Sequence, residues 1–386
     1  MVELSLDVLY RSQIEKAPKV HSHNEKGENI VKPACQYGRL VKIMHSRNGM
    51  NGVLLSVFEQ FGQPAEGETE CTRGRGTPVY ASCDDGKSWK MISRVSDEEH
   101  PEYTTYWMPN LYELPIAMGD FPAGTLLLGN VTVDREEGSW LRLYVSTDSG
   151  NTWRALGNLE HGGWVEHGVW EPFFFIAADG RLVCCYCDER TAKAHSQKIV
   201  MRWTRDLVSW SMQTDIIAPG DPLLRPGMPV VTRLGDGSYF MVYEIVGIKG
   251  NPIYGRCSED GLTWGDKGDI GTCLVSEDGK ALGSSPYCLW VDTGSCGSLL
   301  VSGAFMSKGE STTGTDYLVS FDGGKHFDTL PHPIPYSQSD HTSHTGYSNS
   351  FLYDKEQNKF YAINNPASDD DTTAMTVAVC NVGNGR

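Results

Sequence analysis

The sequence predicts an all-β protein, a six-bladed β-propeller built from four-stranded antiparallel blades, and three observations carry that prediction. A turn motif recurs along the 386 residues. It reads Ser82-Cys83-Asp84-Asp85-Gly86-Lys87-Ser88-Trp89 and again Ser146-Thr147-Asp148-Ser149-Gly150-Asn151-Thr152-Trp153. Weaker copies are Cys257-Ser258-Glu259-Asp260-Gly261-Leu262-Thr263-Trp264, Ser320-Phe321-Asp322-Gly323-Gly324-Lys325-His326-Phe327 and the glycine-free Thr204-Arg205-Asp206-Leu207-Val208-Ser209-Trp210. The closing aromatics Trp89, Trp153, Trp210, Trp264 and Phe327 are 54 to 64 residues apart, the kind of spacing that marks a radial repeat, and roughly 60 residues per blade gives about six blades. The sequence between motifs is short, strand-like and punctuated by turns, with 42 glycines in all, as many short strands require.

Each element can be placed in order. Blade one takes 38–45, 52–58, 77–83 and 90–95, with Asn48-Gly49 and Asn51-Gly52 marking its first turn, since Asn-Gly readily adopts positive φ. Blade two begins at 111–117 and continues through 124–132 and 141–146. Blade three takes 170–177, 181–188 and 197–203, turning at Asp179-Gly180; blade four takes 228–234 and 238–244, turning at Asp236-Gly237. Blade five uses 285–291 and 298–304, and blade six 350–354, 359–364 and 375–380. Blade six is one strand short, and the alternating segment 4–10 supplies that strand. The whole chain, 1–386, is then a single domain whose ring is closed by the N-terminal strand, which removes two sheet edges at once. Insertions at 60–76, 98–110 and 332–346 are expected as rim loops.

The bulk properties narrow the function classes. A net charge of −16 opposes a nucleic-acid partner, because phosphate binding needs a basic face. No apolar run approaches the ~18 residues of a membrane span. Eleven cysteines show no paired metal-ligand spacing, so neither metal nor cofactor is expected. Cys184, Cys185 and Cys187 crowd one strand, where Cys185 and Cys187 share a face and Cys184 takes the other; buried thiols are the main expectation, with one or two disulfides beside them. The N-terminus lacks a basic region followed by an apolar stretch.

The motif aspartates fall in the third-to-fourth turn of each blade, remote from the mouth where first strands begin. They are expected to bond amides of their own turns, a structural role. At the mouth, acids and arginines stand in otherwise apolar strands. Glu171 sits in Val169-Trp170-Glu171-Pro172-Phe173-Phe174-Phe175 and Glu244 in Tyr239-Phe240-Met241-Val242-Tyr243-Glu244-Ile245-Val246, where a charge is costly without water or a partner. Paired carboxyls with apolar walls are what glycosidic bond cleavage uses. The alternative is that each is a buried acid paired with Arg190 or Arg225. Arg39, Asp188, Arg190 and Arg225 either grip sugar hydroxyls or hold the mouth carboxylates. Glu59 and Glu113 are candidates for hydroxyl binding, and Tyr347 for hydrogen bonding or stacking on a ligand.

An ordered series of motifs resembles glycoside hydrolase family 93, the exo-α-1,5-L-arabinanases. It comprises Leu111-Tyr112-Glu113-Leu114, Gly119-Asp120-Phe121-Pro122-Ala123-Gly124, Trp170-Glu171-Pro172-Phe173 and Asp188-Glu189-Arg190 with Ala194-His195-Ser196-Gln197-Lys198. Asp206-Leu207-Val208-Ser209-Trp210, Arg225-Pro226-Gly227-Met228-Pro229 and Tyr243-Glu244 complete it. The turn motifs resemble the Asp-boxes that sialidases share and select no function alone. The family resemblance implies a six-bladed propeller that releases arabinobiose from the non-reducing end of linear arabinan with retention, Glu171 as nucleophile and Glu244 as general acid/base. It also implies a secreted protein, while the N-terminal residues by themselves leave a cytosolic protein as the alternative, and a monomer is expected. Two alternatives stand beside it. An exo-sialidase would use Arg39, Arg225 and Tyr347 but lacks the Arg-Ile-Pro opening motif, and a non-catalytic carbohydrate-binding propeller would leave Glu171 and Glu244 structural.

Overall fold

The computed structural model describes residues 3–23, 29–61, 76–98, 100, 105–134, 138–164, 167–293, 297–309, 311–336, 345–366 and 370–385. The expected loops at 60–76 and 332–346 lie largely outside the described residues. Among the described residues there are strands and turns but no helix, and hence none long and apolar enough to cross a membrane.

Six sheets have four antiparallel strands each. Sheet one holds Cys35–Lys42, Leu54–Gln60, Thr77–Ser82 and Lys90–Val95. Sheet two holds Tyr106–Glu113, Leu126–Asp134, Gly138–Ser146 and Arg154–Gly162. Sheet three holds Val169–Ile176, Leu182–Asp188, Lys198–Thr204 and Thr214–Ile217. Sheet four holds Arg225–Arg233, Tyr239–Val246, Ile253–Ser258 and Thr272–Cys273. Sheet five holds Tyr287–Val291, Ser298–Ser302, Tyr317–Ser320 and Asp328–Leu330. Sheet six holds Ser350–Asp354, Lys359–Asn364 and Thr372–Gly385, and its fourth strand is the N-terminal Glu3–Pro18, paired from Glu3 with Gly385 to Pro18 with Thr372. The first strands of the six sheets contact one another in chain order, and Ser350–Asp354 contacts Cys35–Lys42. This is the propeller arrangement.

Packing between sheets follows the two-residue period of the strands. In Leu182–Asp188, Cys184 and Tyr186 pack with the sheet-two core and Cys185 and Cys187 with the sheet-four core. The nine described cysteines are free thiols.

The recurrent aspartates close their own turns on the side opposite the mouth. Asp84 accepts the Ser88 amide at 2.9 Å, Asp148 that of Thr152 at 2.9 Å and Asp206 that of Ser209 at 2.7 Å. Asp260 accepts from Thr263 at 2.7 Å and Asp322 from His326 at 3.0 Å. Donors at Ser88 and Ser209 hold Asp84 and Asp206 down to about 2. Partial burial pushes Asp148, Asp260 and Asp322 upward, and the turn donors outweigh it, leaving each below the usual range.

One placement corrects the sequence reading. The first strand of sheet two starts at Tyr106, not at 111, so Glu113 ends that strand instead of opening it. Its carboxylate accepts the amides of Met44 at 2.9 Å and His45 at 2.9 Å, tying down the first turn of sheet one at the far end from the mouth. Glu113 is therefore not a mouth residue. The expected rim loop at 98–110 thus gives way, from Tyr106 on, to strand, and Pro109 lies inside it. In the fold it occupies a bulge, between Trp107 paired with Val131 and Asn110 paired with Gly129, where no ladder donor is needed.

Candidate active site

The first strand of every sheet carries, in it or just before it, a non-glycine residue in the left-handed region. These are Tyr37 (φ 61°), Met108 (53°), Glu171 (62°), Met228 (57°), Ser284 (60°) and Ser348 (57°), and Ser285 follows at 44°. In sheets one to four the residue sits in a bulge that breaks the register. Each such conformation costs of order 1–3 kcal/mol and survives only where the surroundings enforce it. The gain is visible in where the freed amides point. Met108 N–H donates to Glu59 at 2.6 Å, Met228 N–H to Glu171 Oε2 at 2.7 Å, and Ser285 N–H to Glu244 Oε2 at 2.8 Å. Three carboxylates are thus held by amides of the following sheet. Sequence reasoning missed this device, although a signal for it existed: four of these residues precede proline, in Met108-Pro109, Glu171-Pro172, Met228-Pro229 and Ser285-Pro286.

Glu171 and Glu244 come together around Gly227. A Cβ at Gly227 would lie 3.6 Å from Glu171 Oε2 and 3.9 Å from Glu244 Cγ, and 2.7 Å from Gln197 Nε2. Only glycine leaves this space open. Glu171 is half-buried and receives a second donor, Cys187 Sγ, at 2.8 Å, also on Oε2. Burial pushes its carboxyl up to about 7; the Cys187 thiol and Met228 amide oppose that, while the neighbouring Glu244 adds to it. Glu244 is buried, and burial raises its carboxyl too, against the Ser285 amide, the Ser284 hydroxyl and the Arg225 charge.

The remaining residues divide into those near the pair and those elsewhere. Glu59 is buried, accepts Gln36 Nε2 at 2.7 Å, and is pushed to about 7 by burial. Arg39, also buried, donates to Ser348 Oγ at 2.9 Å and lies 4.2 Å over the Tyr37 ring. Tyr347 stands 6.2 Å from Tyr37, ring to ring. Its phenol is held far above its ordinary range by burial first and then by the charges of Glu244 and Glu171. Arg225 pairs with Glu189 and Gln197, and Glu189 in turn accepts Trp170 Nε1 at 2.7 Å. Trp107 leans toward Trp170 with ring centroids 6.4 Å apart.

Asp188 and Arg190 are not brought to the pair. Arg190 binds Asp188 at 2.9 Å, Glu160 at 2.5 Å and Gln213 at 2.6 Å. Asp188 is one residue beyond Cys187 and so turns to the sheet-two side, where this network joins two sheets. A cavity of about 450 Å³ among the first strands, lined by Arg39, Asn110, Phe173, Tyr287 and Phe351, excludes both Glu171 and Glu244. Among the described residues no group of three or more His, Cys, Asp or Glu is placed to hold a metal ion.

These charges set the pH dependence of stability. The turn aspartates are depressed, so their contribution is present above about 4 and lost as pH falls toward 2. Glu59 and Glu171 are raised, so theirs is complete below about 4 and lost as pH rises through 7. The apparent Tm is expected to peak near pH 4–5. Glu59→Gln should flatten the decline toward pH 8, read by scanning calorimetry across pH.

Two raised carboxyls close together at one end of an all-β propeller are the kind of pair that glycosidic bond cleavage uses. No protein-family model and no curated protein matches the chain. Solved structures do. The α-L-arabinanase of Penicillium chrysogenum, solved with arabinobiose, is 28% identical over 95% of this chain and 98% of its own, with a TM-score of 0.73. A mutant of the α-L-arabinofuranosidase of Fusarium graminearum, a family 93 enzyme, was solved with an iminosugar inhibitor; it is 25% identical over 95% of this chain and 98% of its own, with a TM-score of 0.73. The sialidase of Trypanosoma rangeli shares the fold alone, at 13% identity and a TM-score of 0.56 over 98% of this chain and 60% of its own. The resemblance to glycoside hydrolase family 93 thus extends over nearly the whole chain.

Proposed function

We propose that this protein is an exo-acting, retaining glycoside hydrolase that releases arabinobiose from the non-reducing end of linear α-1,5-L-arabinan. In this reading it is one six-bladed propeller, closed where the N-terminal strand joins the last blade, and it works as a secreted monomer without a cofactor. The single observation that carries the proposal is the meeting of Glu171 and Glu244 across the side-chain-free Gly227. The Penicillium chrysogenum arabinanase, whose structure holds arabinobiose, supports the substrate class. At most about 7.5 Å separates Glu171 Oε2 from Glu244 Cγ through the Gly227 position, a bound that admits the ~5–5.5 Å of retaining and the lower part of the ~6.5–9.5 Å of inverting pairs. Retention rests on the family likeness.

The chemistry follows from which oxygens are occupied. Both donors to Glu171 fall on Oε2, leaving Oε1 as the attacking atom. The Ser285 amide occupies Glu244 Oε2, so a proton on Glu244 resides on Oε1. Glu244 gives that proton to the glycosidic oxygen as the C1–O bond breaks, and Glu171 Oε1 bonds to C1 from the opposite side. Water then attacks C1, losing its proton to Glu244 and displacing Glu171. Arg39, Glu59, Arg225 and Tyr347 line or brace the sugar site in this scheme, whereas Asp188 and Arg190 brace the scaffold.

Incubation with linear arabinan, with a sialyl chromogenic substrate and with buffer decides the matter. Arabinobiose as the first product, formed with retained anomeric configuration by NMR, is expected. Sialic acid release, or binding of arabino-oligosaccharide without turnover, rejects the proposal.

A further inference from the structure

We infer that Cys187 is a positioning residue: its thiol fixes Glu171 Oε2 and, by donating to the ionised carboxylate, keeps Oε1 free to attack. The inference rests on the functional reading above, but its physical core does not. Cys187 Sγ lies 2.8 Å from Glu171 Oε2, and Met228 N–H reaches both, at 3.3 Å and 2.7 Å. The thiol is fully buried, and burial together with the Glu171 charge pushes it well above its ordinary value, so it remains the proton donor.

The repeat supplies a second, independent argument. In sheet one Glu59 pairs across the ladder with Gln36, which precedes the left-handed Tyr37; in sheet four Glu244 pairs with Gly227, which precedes Met228. Cys187 pairs with Trp170, which precedes Glu171. The same register position therefore holds a carboxylate in two sheets and a thiol in the third. In sheet three the left-handed residue is itself a carboxylate, and a second acid opposite it would set like charges against each other in a buried place. A small neutral donor resolves that conflict. No other described side chain donates to Glu171. The remaining groups whose charge or dipole faces it are Glu244 on Tyr239–Val246, Glu189 beyond Leu182–Asp188, Tyr37 on Cys35–Lys42 and Tyr347 before Ser350–Asp354. The two acids donate nothing when ionised, and the Tyr347 hydroxyl is directed at Met228 Sδ, 3.6 Å away.

Loss of a donor to the charged form raises a carboxyl pKa. Cys187→Ala is expected to lower kcat/KM on linear arabinan about tenfold, with kcat falling more than KM changes. The acid limb of its pH profile should move up by about one unit. Cys187→Ser, which keeps a donor, should recover most of both. Cys185→Ala removes a buried thiol two residues away on the same face without touching Glu171, and it should leave the limb in place. A limb unmoved in Cys187→Ala, or moved equally in Cys185→Ala, overturns the inference. Infrared titration of the Glu171 carboxyl band, assigned by its loss in Glu171→Gln, separates this claim from the activity. If the wild type fails to cleave arabinan yet the band midpoint rises in Cys187→Ala, the thiol's role stands and the substrate assignment falls. An unmoved midpoint removes the thiol's role whatever the substrate.

Discussion

Glu171→Ala and Glu244→Ala are each expected to lose at least about a thousandfold in kcat on linear arabinan, because one loses the attacking oxygen and the other the proton donor. The two losses should differ in how they respond to azide. In Glu244→Ala the glycosyl-enzyme still forms when the leaving group is good. Azide then takes the place of activated water and yields an arabinobiosyl azide of retained configuration. In Glu171→Ala azide enters the space of the missing carboxylate and displaces the leaving group directly, giving the inverted azide. Product configuration by NMR thus assigns both roles, and exchange of the two outcomes exchanges the roles. Activity undiminished in both variants removes the pair from the chemistry altogether. The wild-type pH profile should be a bell displaced upward from that of exposed carboxyls, because burial raises both groups and the neighbouring Glu244 adds to the rise at Glu171.

The second large effect concerns the seam between the first and last sheets. Lys42 and Asp354 form an ion pair with both side chains buried, one on the first strand of sheet one and the other on the first strand of sheet six. Asp354 also caps its own turn, accepting the Glu356 amide at 3.0 Å. Asp354→Ala strands a buried ammonium, a change that costs about 3–5 kcal/mol. For a chain of this length that corresponds to a fall in apparent Tm of about 4–6 °C at fixed scan rate. The double variant Lys42→Met/Asp354→Leu should recover most of the loss, since no charge is left unpaired. Failure of the double variant to recover would show that the seam depends on the turn cap more than on the charge. Nearby, the Asp85 carboxylate receives Tyr361 Oη at 2.5 Å, and its backbone carbonyl receives Tyr10 Oη at 2.7 Å, so sheets one and six are joined at a second place.

Much of the scaffold was legible because its determinants are local. An aspartate bonding an amide three or four residues on leaves the same trace in five of the six sheets, as at Asp84 and Asp148. Glu171 and Glu244 stood out because a charge inside an apolar strand demands a reason. Glu113 was misplaced by the same local logic. The sequence reading starts the strand at 111, and only the pairing of Trp107 with Val131 and Asn110 with Gly129 shows that it begins earlier, with Pro109 in a bulge. Asp188 sits within the motif series yet faces away from the pair, since each step along a strand reverses the side chain, and Arg190, beyond the strand end, is held to it by their ion pair.

The sequence by itself determined the repeat, the turn chemistry and the identity of two acids set among apolar neighbours, all properties carried by residues within a few positions of one another. The tertiary structure alone decided that Glu171 and Glu244 share the space above Gly227, that amides of the next sheet grip Glu59, Glu171 and Glu244, and that a buried thiol faces one of them. The amide contacts join different sheets and the thiol contact lies within sheet three, all at a break in strand register, and no pattern within one strand encodes which neighbour a displaced amide will meet.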